Sequence, residues 1–390
     1  MKEQRREQNT EQSADVIIVG AGIVGLAHAF LAAKSGKSVI VLERHPAASG
    51  ASIANFGLLW PIGQPAGKML QMALESRALW LEVLQAAKIP CRETGSLHVA
   101  CREDEVRTGE EFASLAPALG YRCAWLGRDA ALARSSALNP EAVLGALWSD
   151  TEITVDPREV LRLLPEFLRE RYGVQFHWSS PVFAIEHPHV RTAEGVWRGE
   201  HVIVCNGSEF ETLYPEFFRR SNLTRCRLQM LRTKPQPSGW ALGPALAGGL
   251  TFRFYSSFGI CSSLPELRRR IASETPEYDR FGIHTMVSQT TAGELTLGDS
   301  HDYGLAPSTF NLEEIDALIL SHLQSFLRIP DFSIAQRWYG VYAKHPERPY
   351  VRFQPEPGIE VVTGLGGAGM TLSFGVAAET FDIGSTKEYL

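Results

Sequence analysis

Asp15-Val-Ile-Ile-Val19-Gly20-Ala-Gly22-Ile-Val-Gly25, with the Ala- and Leu-rich run to Lys34 and then Ser38-Val-Ile-Val-Leu42-Glu43, sets the fold class. The β-branched run before Gly20 predicts a strand buried on both faces. The run that follows predicts a helix ending near Gly36, and residues 38–42 predict a second strand with Glu43 at its carboxyl end. A bare G-x-G-x-x-G says little, but this one stands in its full strand–turn–helix–strand–acid context. Gly20 permits the tight turn, Gly22 lets a pyrophosphate approach the backbone, and Gly25 lets helix and strand pack closely. Ile23 and Val24 open the helix, whose free N–H groups and positive dipole end suit phosphate. Glu43 lies eighteen residues past Gly25, where a carboxylate accepts hydrogen bonds from ribose hydroxyls and repels a 2′-phosphate. Arg44 follows it. These residues read as an ADP-binding βαβ unit.

The 390 residues leave room for two or three domains, or for one large α/β unit with an inserted partner. Nineteen Phe, ten Tyr and eight Trp exclude a disordered chain. A net charge of −6 argues against a nucleic-acid partner, which would select a basic face. No apolar run approaches the ~20 residues of a membrane span, so no membrane partner is expected. Residues 1–13 carry Glu, Gln and Arg around no apolar centre and are expected to form a disordered tail rather than a secretory signal. Six scattered cysteines without a C-x-x-C pair suggest a reducing cytoplasm and no metal site.

Ser49-Gly50-Ala51-Ser52-Ile53-Ala54-Asn55-Phe56-Gly57 is small and polar, follows the acid closely and runs into Leu58-Leu-Trp60-Pro61. Here the chain resembles the D-amino acid oxidase, glycine oxidase and sarcosine oxidase superfamily of flavoproteins. The resemblance implies that this segment, with Ser49, Ala51, Ser52, Asn55, Phe56 and Gly57, lies along the pyrophosphate and over the flavin ring of an FAD. It extends through Glu93-Thr-Gly95-Ser-Leu97, Val155-Asp156-Pro157-Arg158, Gly173-Val-Gln-Phe176, Val182 and Val202-Ile-Val-Cys-Asn206-Gly207. A second G-x-G-x-x-G, Gly364 to Gly369, follows Ile359-Glu-Val-Val-Thr363, but only twenty-one residues remain after Gly369. That is too short for helix, strand and ribose acid, so no second nucleotide is expected. The resemblance implies instead that Gly366, Gly367, Gly369, Met370 and Thr371 close the first site from the far end. Backbone N–H groups there would stabilise negative charge on the flavin pyrimidine edge. No Cys or His stands at a tethering place, so the FAD is expected to be non-covalent.

The fold class is therefore α/β: a discontinuous Rossmann-like FAD-binding domain (14–92, 152–212 and 336–390) with a second α+β substrate domain (93–151 and 213–335) on a mixed or antiparallel sheet. Residues 93–151 read as a helical excursion. The block 213–335 reads as strands at 250–255, 284–288 and 294–297 with helices at 266–272 and 312–327.

Flavin amine oxidation asks for a C–H bond near the ring, an unprotonated amine and exclusion of water, so no catalytic dyad is expected. Amino acid oxidases of the resembled family carry W-x-G-x-R-P, with the Arg holding a substrate carboxylate. This chain reads Trp338-Tyr-Gly340-Val-Tyr342-Ala-Lys344-His345-Pro346-Glu347-Arg348-Pro349, with Tyr342 where that Arg is expected and the basic groups later. A tetrahedral dianion is better met by several spread donors than by one planar fork. A-S-x-x-N-F-G-x-x-W-P-I-G-Q at 51–64, the 340–349 segment and G-L-G-G-A-G-M-T-L-S-F-G at 364–375 resemble flavin oxidoreductases associated with bacterial phosphonate catabolism. That implies oxidation of 2-aminoethylphosphonate or its N-methyl form to phosphonoacetaldehyde and an amine, with O2 as acceptor. Candidate substrate residues are Lys344, His345, Arg348 and Tyr342, the alternating pair Arg253 and Tyr255, Gln64 and His284. Thr296 stands where sarcosine oxidase-type enzymes place an oxygen-activating Lys, which leaves the rate with oxygen open. Two competing activities are a glycine or D-amino acid oxidase and, from Leu297-Gly298-Asp299-Ser-His301, an aromatic hydroxylase. Oligomeric state is not legible.

Overall fold

The β-branched residues Val16, Ile17 and Ile18 are fully buried at the centre of a parallel sheet, as a strand covered on both faces requires. The structure is a computed structural model and describes residues 12–381. The strand Gln12–Val19 lies between Gly195–Val204 and Val39–Leu42, parallel to both. Gln175–His177 extends the sheet beyond Val39–Leu42, and Ile359–Thr363 adds to the carboxyl half of Gly195–Val204, again in parallel. An edge strand, Val351–Phe353, and an antiparallel pair, Val182–Glu186 and His189–Thr192, complete eight strands.

One face of this sheet carries the helices Ile23–Lys34, Lys68–Ala86, Pro157–Tyr172 and Gly369–Phe381, sealed by Val16, Ile18, Phe30, Trp80, Leu164 and Phe374. The last helix packs against the first two, so the end of the described chain lies beside its beginning. Trp80 is the main rivet. It is fully buried, donates from Nε1 to the Met370 carbonyl at 2.8 Å, and lies 4.8 Å from the Phe374 ring. Trp80→Ala should lower stability by about 3–5 kcal/mol, from lost burial and the cavity left behind. Thermal unfolding checks this, and an unmoved midpoint would mean that the last helix is held elsewhere.

The second sheet has nine strands. Thr224–Thr233 pairs with Ile334–Lys344, Asp302–Gly304 and Leu295–Gly298. The order continues through Met286–Gln289, Ala245–Ala247, Ser96–Ala100, Gly145–Ser149 and Cys123–Gly127. Only the Ala245–Ala247 and Ser96–Ala100 pair is parallel, so the sheet is mixed. A small antiparallel sheet of Leu58–Leu59, Ile153–Val155 and Cys91–Arg92 sits where the chain crosses between the two large ones.

Several expectations need correction. Gln12 and Ser13 are not tail but strand, paired with Trp197 and Arg198, while residues 1–11 lie outside the described residues. Residues 336–344 join the second sheet rather than the flavin domain, because Ile334–Lys344 runs antiparallel along Thr224–Thr233. The 93–151 excursion holds three strands besides its helices Glu103–Leu115 and Arg128–Arg134. The strand expected at 250–255 is a 3-10 turn, Gly249–Arg253, followed by another, Ser256–Ile260. The tight turns let Phe252 and Phe258 enter one cluster with Phe112 and His98, which an extended chain would not do. Gly249 is required there, since a Cβ would fall 2.1 Å from the Glu105 carboxyl carbon.

Candidate active site

A cavity of about 780 Å³ runs from the carboxyl ends of the parallel strands to the inner wall of the second sheet. Its size is that of small-molecule and cofactor sites, and its place is the usual one outside the carboxyl ends of an α/β sheet. At the first glycine turn, Gly20 has φ +105°, and a Cβ there would meet the Cys205 carbonyl oxygen at 2.4 Å. The helix Ile23–Lys34 starts at Gly22 with no side-chain cap of its own. Ser52 reaches in from the serine-rich segment, its Oγ accepting from Ile23 N–H at 2.9 Å. Glu43 is buried at the end of its strand and accepts from Ala21 N–H at 2.7 Å and His45 N–H at 2.9 Å, so the acid also ties the turn together. Arg44 pairs with Glu209 at 3.4 Å on the rim.

Asn55 holds the serine-rich segment in shape. Its Nδ2 donates to the Ala51 and Ser52 carbonyls at 3.0 and 2.8 Å, and its Oδ1 accepts from Gly57 N–H at 2.7 Å. At the far end the turn Gly364–Gly369 begins with positive φ at Gly364 and Gly366. Positions 366 and 367 lie against Lys344 and Tyr342: a Cβ would sit 3.6 Å from Lys344 Cδ or from Tyr342 Oη, respectively. Both glycine turns, Gly20–Gly25 and Gly364–Gly369, thus contribute to the border of one cavity.

Three candidate cofactor residues do not line that space. Gly25 packs helix on strand, Gly57 lies against the Val155 carbonyl, and Thr371 Oγ1 accepts from Trp60 N–H at 2.9 Å. The others, Gly20, Gly22, Ile23, Val24, Glu43, Arg44, Ser49, Ala51, Ser52, Asn55, Phe56, Val182, Asn206, Gly207, Gly366, Gly367, Gly369 and Met370, all border it.

Of the candidate substrate residues, Lys344, His345, Arg348, Tyr342, Tyr255, Gln64 and His284 border the same cavity. Arg253 does not. The 3-10 turn swings it away, and its guanidinium is committed to Asp279 at 2.8 Å and to the Leu250 and Ile283 carbonyls. His345 is partly architectural, since its Nδ1 accepts from Glu347 and Arg348 N–H at 3.1 and 3.0 Å and folds the basic loop. Arg348 is exposed at the rim, and Lys344 is half-buried. Thr296 is buried within its strand and does not reach the cavity.

Sequence reasoning missed the most unusual part of the wall. Asp299 and His301, just past the strand Leu295–Gly298, border the cavity together with His284. Asp299 Oδ1 is 3.3 Å from His284 Nε2, and Oδ2 is 3.8 Å from His301 Nε2. His301 Nδ1 donates to the Gly282 carbonyl at 2.8 Å, and Asp299 N–H donates to the His284 carbonyl at 2.8 Å. The His284 ring stacks on Phe254 at 3.8 Å and on His301 at 5.1 Å, and Phe254 and His301 are 4.5 Å apart, so the three rings form a compact triangle. Burial pushes the Asp299 carboxyl well above the usual carboxylate range, and it pushes His301 down to about 3 and His284 down as well. The available signal was a Gly-Asp-x-His at a strand end, which faces this cavity instead of preceding a glycine helix.

The donor set fits an FAD. A Cβ added at Gly50, Gly207 or Gly369 meets nothing within 4 Å, so the cradle opens on free space at three points. Asn206 Oδ1 is buried with no protein partner beside it, an acceptor without a donor at the adenine-nucleotide end. Ser49, Ser52 and the turn N–H groups suit phosphates, and Glu43 suits a ribose.

The family model described as DAO, FAD dependent oxidoreductase, matches residues 15–383. Among curated proteins, glycine oxidase of Geobacillus kaustophilus is 27% identical over 206 residues, covering 50% of this chain and 54% of that protein. One of the subunits of the anaerobic glycerol-3-phosphate dehydrogenase of Escherichia coli is 28% identical over 213 residues, covering 49% and 39%. The chain spans about half or less of the length of these relatives. Among solved structures, L-proline dehydrogenase from P. horikoshii superposes with TM-score 0.76 at 20% identity over 97% of this chain and 95% of that one. Glycine oxidase from Geobacillus kaustophilus gives 0.75 at 19% identity over 97% and 96%.

Proposed function

The chain belongs to the DAO family of FAD dependent oxidoreductases, and we propose that it oxidises a small amine that carries a phosphonate tail, 2-aminoethylphosphonate or its N-methyl form. FAD, when bound, supplies a two-electron acceptor for the C–H bond next to the amine nitrogen and passes the electrons to O2. The imine product hydrolyses to phosphonoacetaldehyde and an amine.

The task of the protein is then to hold the substrate by its charged end and to keep water out. One observation carries the choice of tail. The strand Ile334–Lys344 brings Tyr342 and Lys344 side by side against Gly366 and Gly367, with Tyr342 where a carboxylate-binding Arg is expected. A hydroxyl and an ammonium, with the Arg348 guanidinium at the rim, are separate donors that suit the three oxygens of a phosphonate. One relative is itself named for a phosphate-tailed molecule, glycerol 3-phosphate.

The resemblance to glycine oxidase supports a second reading, a carboxylate-tailed amino acid as substrate. Anaerobic mixing with 2-aminoethylphosphonate, its N-methyl form, taurine, glycine and D-alanine separates the two. The phosphonates are expected to bleach the flavin fastest. Faster bleaching by glycine or D-alanine would replace the phosphonate reading with the carboxylate one.

A further inference from the structure

The groups on the second-sheet wall pose an electrostatic problem. His301 Nδ1 donates to the Gly282 carbonyl, so in the neutral ring Nε2 carries a lone pair, and that lone pair faces an Asp299 oxygen at 3.8 Å. On its other side Asp299 faces His284 Nε2 at 3.3 Å. All three side chains are at least nine-tenths buried, and Asp299 Oδ1 and His284 Nδ1 have no well-formed hydrogen bond in the protein. Two acceptors facing each other in a low-dielectric wall are stable only with positive charge between them. A proton held between Asp299 and its imidazole neighbours meets that need. A structural cluster would be sealed in the core, whereas this one borders the cavity that holds Tyr342 and Lys344.

We propose that Asp299, flanked by His284 and His301, receives the amine end of the substrate and takes its proton before the C–H bond is broken. The proposal rests on the amine-oxidising reading. An N–H bond of the ammonium breaks, its proton moves to an Asp299 oxygen, and the electron pair stays on nitrogen, which leaves the free amine that oxidation requires. His284 Nε2–H faces the carboxylate and steadies it while ionised. His301 Nε2 shares the proton once it has arrived. Lys344, on a strand of the same sheet, serves the anionic end of the substrate, so this one wall offers a partner to each charge of a zwitterion.

Burial favours this assignment, because it makes the Asp299 carboxylate a stronger base than an exposed one. Around the cluster stand the phenols of Tyr255, Tyr303 and Tyr342 and the thiol of Cys226, all pushed up by burial and therefore neutral near pH 7. The cations Lys344 and Arg253 act on His301, and Arg253 acts on His284, each disfavouring a charged imidazole, while His98 and His322, both lowered by burial to about 3, stand near His284 as neutral rings.

The test uses the FAD-loaded full chain and the rate of flavin bleaching by 2-aminoethylphosphonate from neutral to alkaline pH. In the wild type kcat/KM should rise as Asp299 ionises and fall as the substrate ammonium is lost. In Asp299→Asn the fall disappears, because only the free amine reacts. The value then climbs towards the substrate's own ionisation and is about 10²- to 10⁴-fold below wild type at neutral pH. His284→Phe keeps the ring stack and removes the donor, so the bell remains and its rising limb moves to higher pH. Calorimetry supplies a readout apart from turnover: ethylphosphonate, which has the tail and no amine, should bind Asp299→Asn within about twofold of wild type. An unchanged bell in Asp299→Asn, or an unmoved limb in His284→Phe, overturns the proposal. So does loss of ethylphosphonate binding, or a divalent metal ion that wild type retains and Asp299→Asn loses. A wild type that no amine bleaches overturns both this proposal and the reading beneath it.

Discussion

Gly25→Ala should emerge from purification with little or no flavin. A Cβ at that position would lie 2.0 Å from the Gly20 carbonyl oxygen, 3.1 Å from its carbon and 3.2 Å from Ile18 Cγ2. The nearest obstacle is backbone, so no flexible side chain can give way. The helix Ile23–Lys34 must back off from the strand Gln12–Val19, taking with it the N–H groups intended for the pyrophosphate. Gly25 does not itself border the cavity, so the effect is transmitted through packing and not through a lost contact. Overpacking of this kind costs about 1–3 kcal/mol locally, and misplaced phosphate donors add to it. FAD affinity should fall by a factor on the order of 100 or more, about 3 kcal/mol. Reconstitution titrations measure this, with far-ultraviolet circular dichroism to show that the sheet persists. Wild-type flavin content in Gly25→Ala would remove the close-packing role from this glycine.

Lys344→Met should raise KM for an aminophosphonate by about 10- to 100-fold, which corresponds to one charge-assisted hydrogen bond of about 1.5–3 kcal/mol. The change in kcat should be small, since the tail is bound alike before and during C–H cleavage. Methionine keeps the stem that runs past Gly366 and deletes only the charge. An amine without an anionic tail serves as the control and should be unaffected. Equal KM values for wild type and variant would return Lys344 to an ordinary rim residue.

Much of the nucleotide end was legible because backbone requirements write themselves into sequence. Gly20, Gly22 and Gly25 are at those positions for steric reasons, and the β-branched run before them needs burial on both faces. The second sheet was harder. Ile334–Lys344 is continuous in sequence with the C-terminal glycine turn, yet it pairs with Thr224–Thr233, more than a hundred residues away. Nothing local marks that choice. The Phe252-Arg253-Phe254-Tyr255 alternation looked like a strand, but the two glycines before it and the aromatic cluster below it favour tight turns, and Arg253 was lost from the site as a result. Asp299 and His301 showed only as a fragment of another flavoprotein motif. Their meaning depends on His284, which tertiary structure alone brings within reach.

The central claim is that a single FAD is clasped by the glycine turns at both ends of the described chain. Calorimetric titration of flavin-stripped protein with FAD tests it most directly. The expected result is one FAD per chain, released intact by acid precipitation, with binding weakened by substitutions at either Gly22 or Gly367. Two equivalents per chain, binding indifferent to the C-terminal turn, or no binding at all would contradict it.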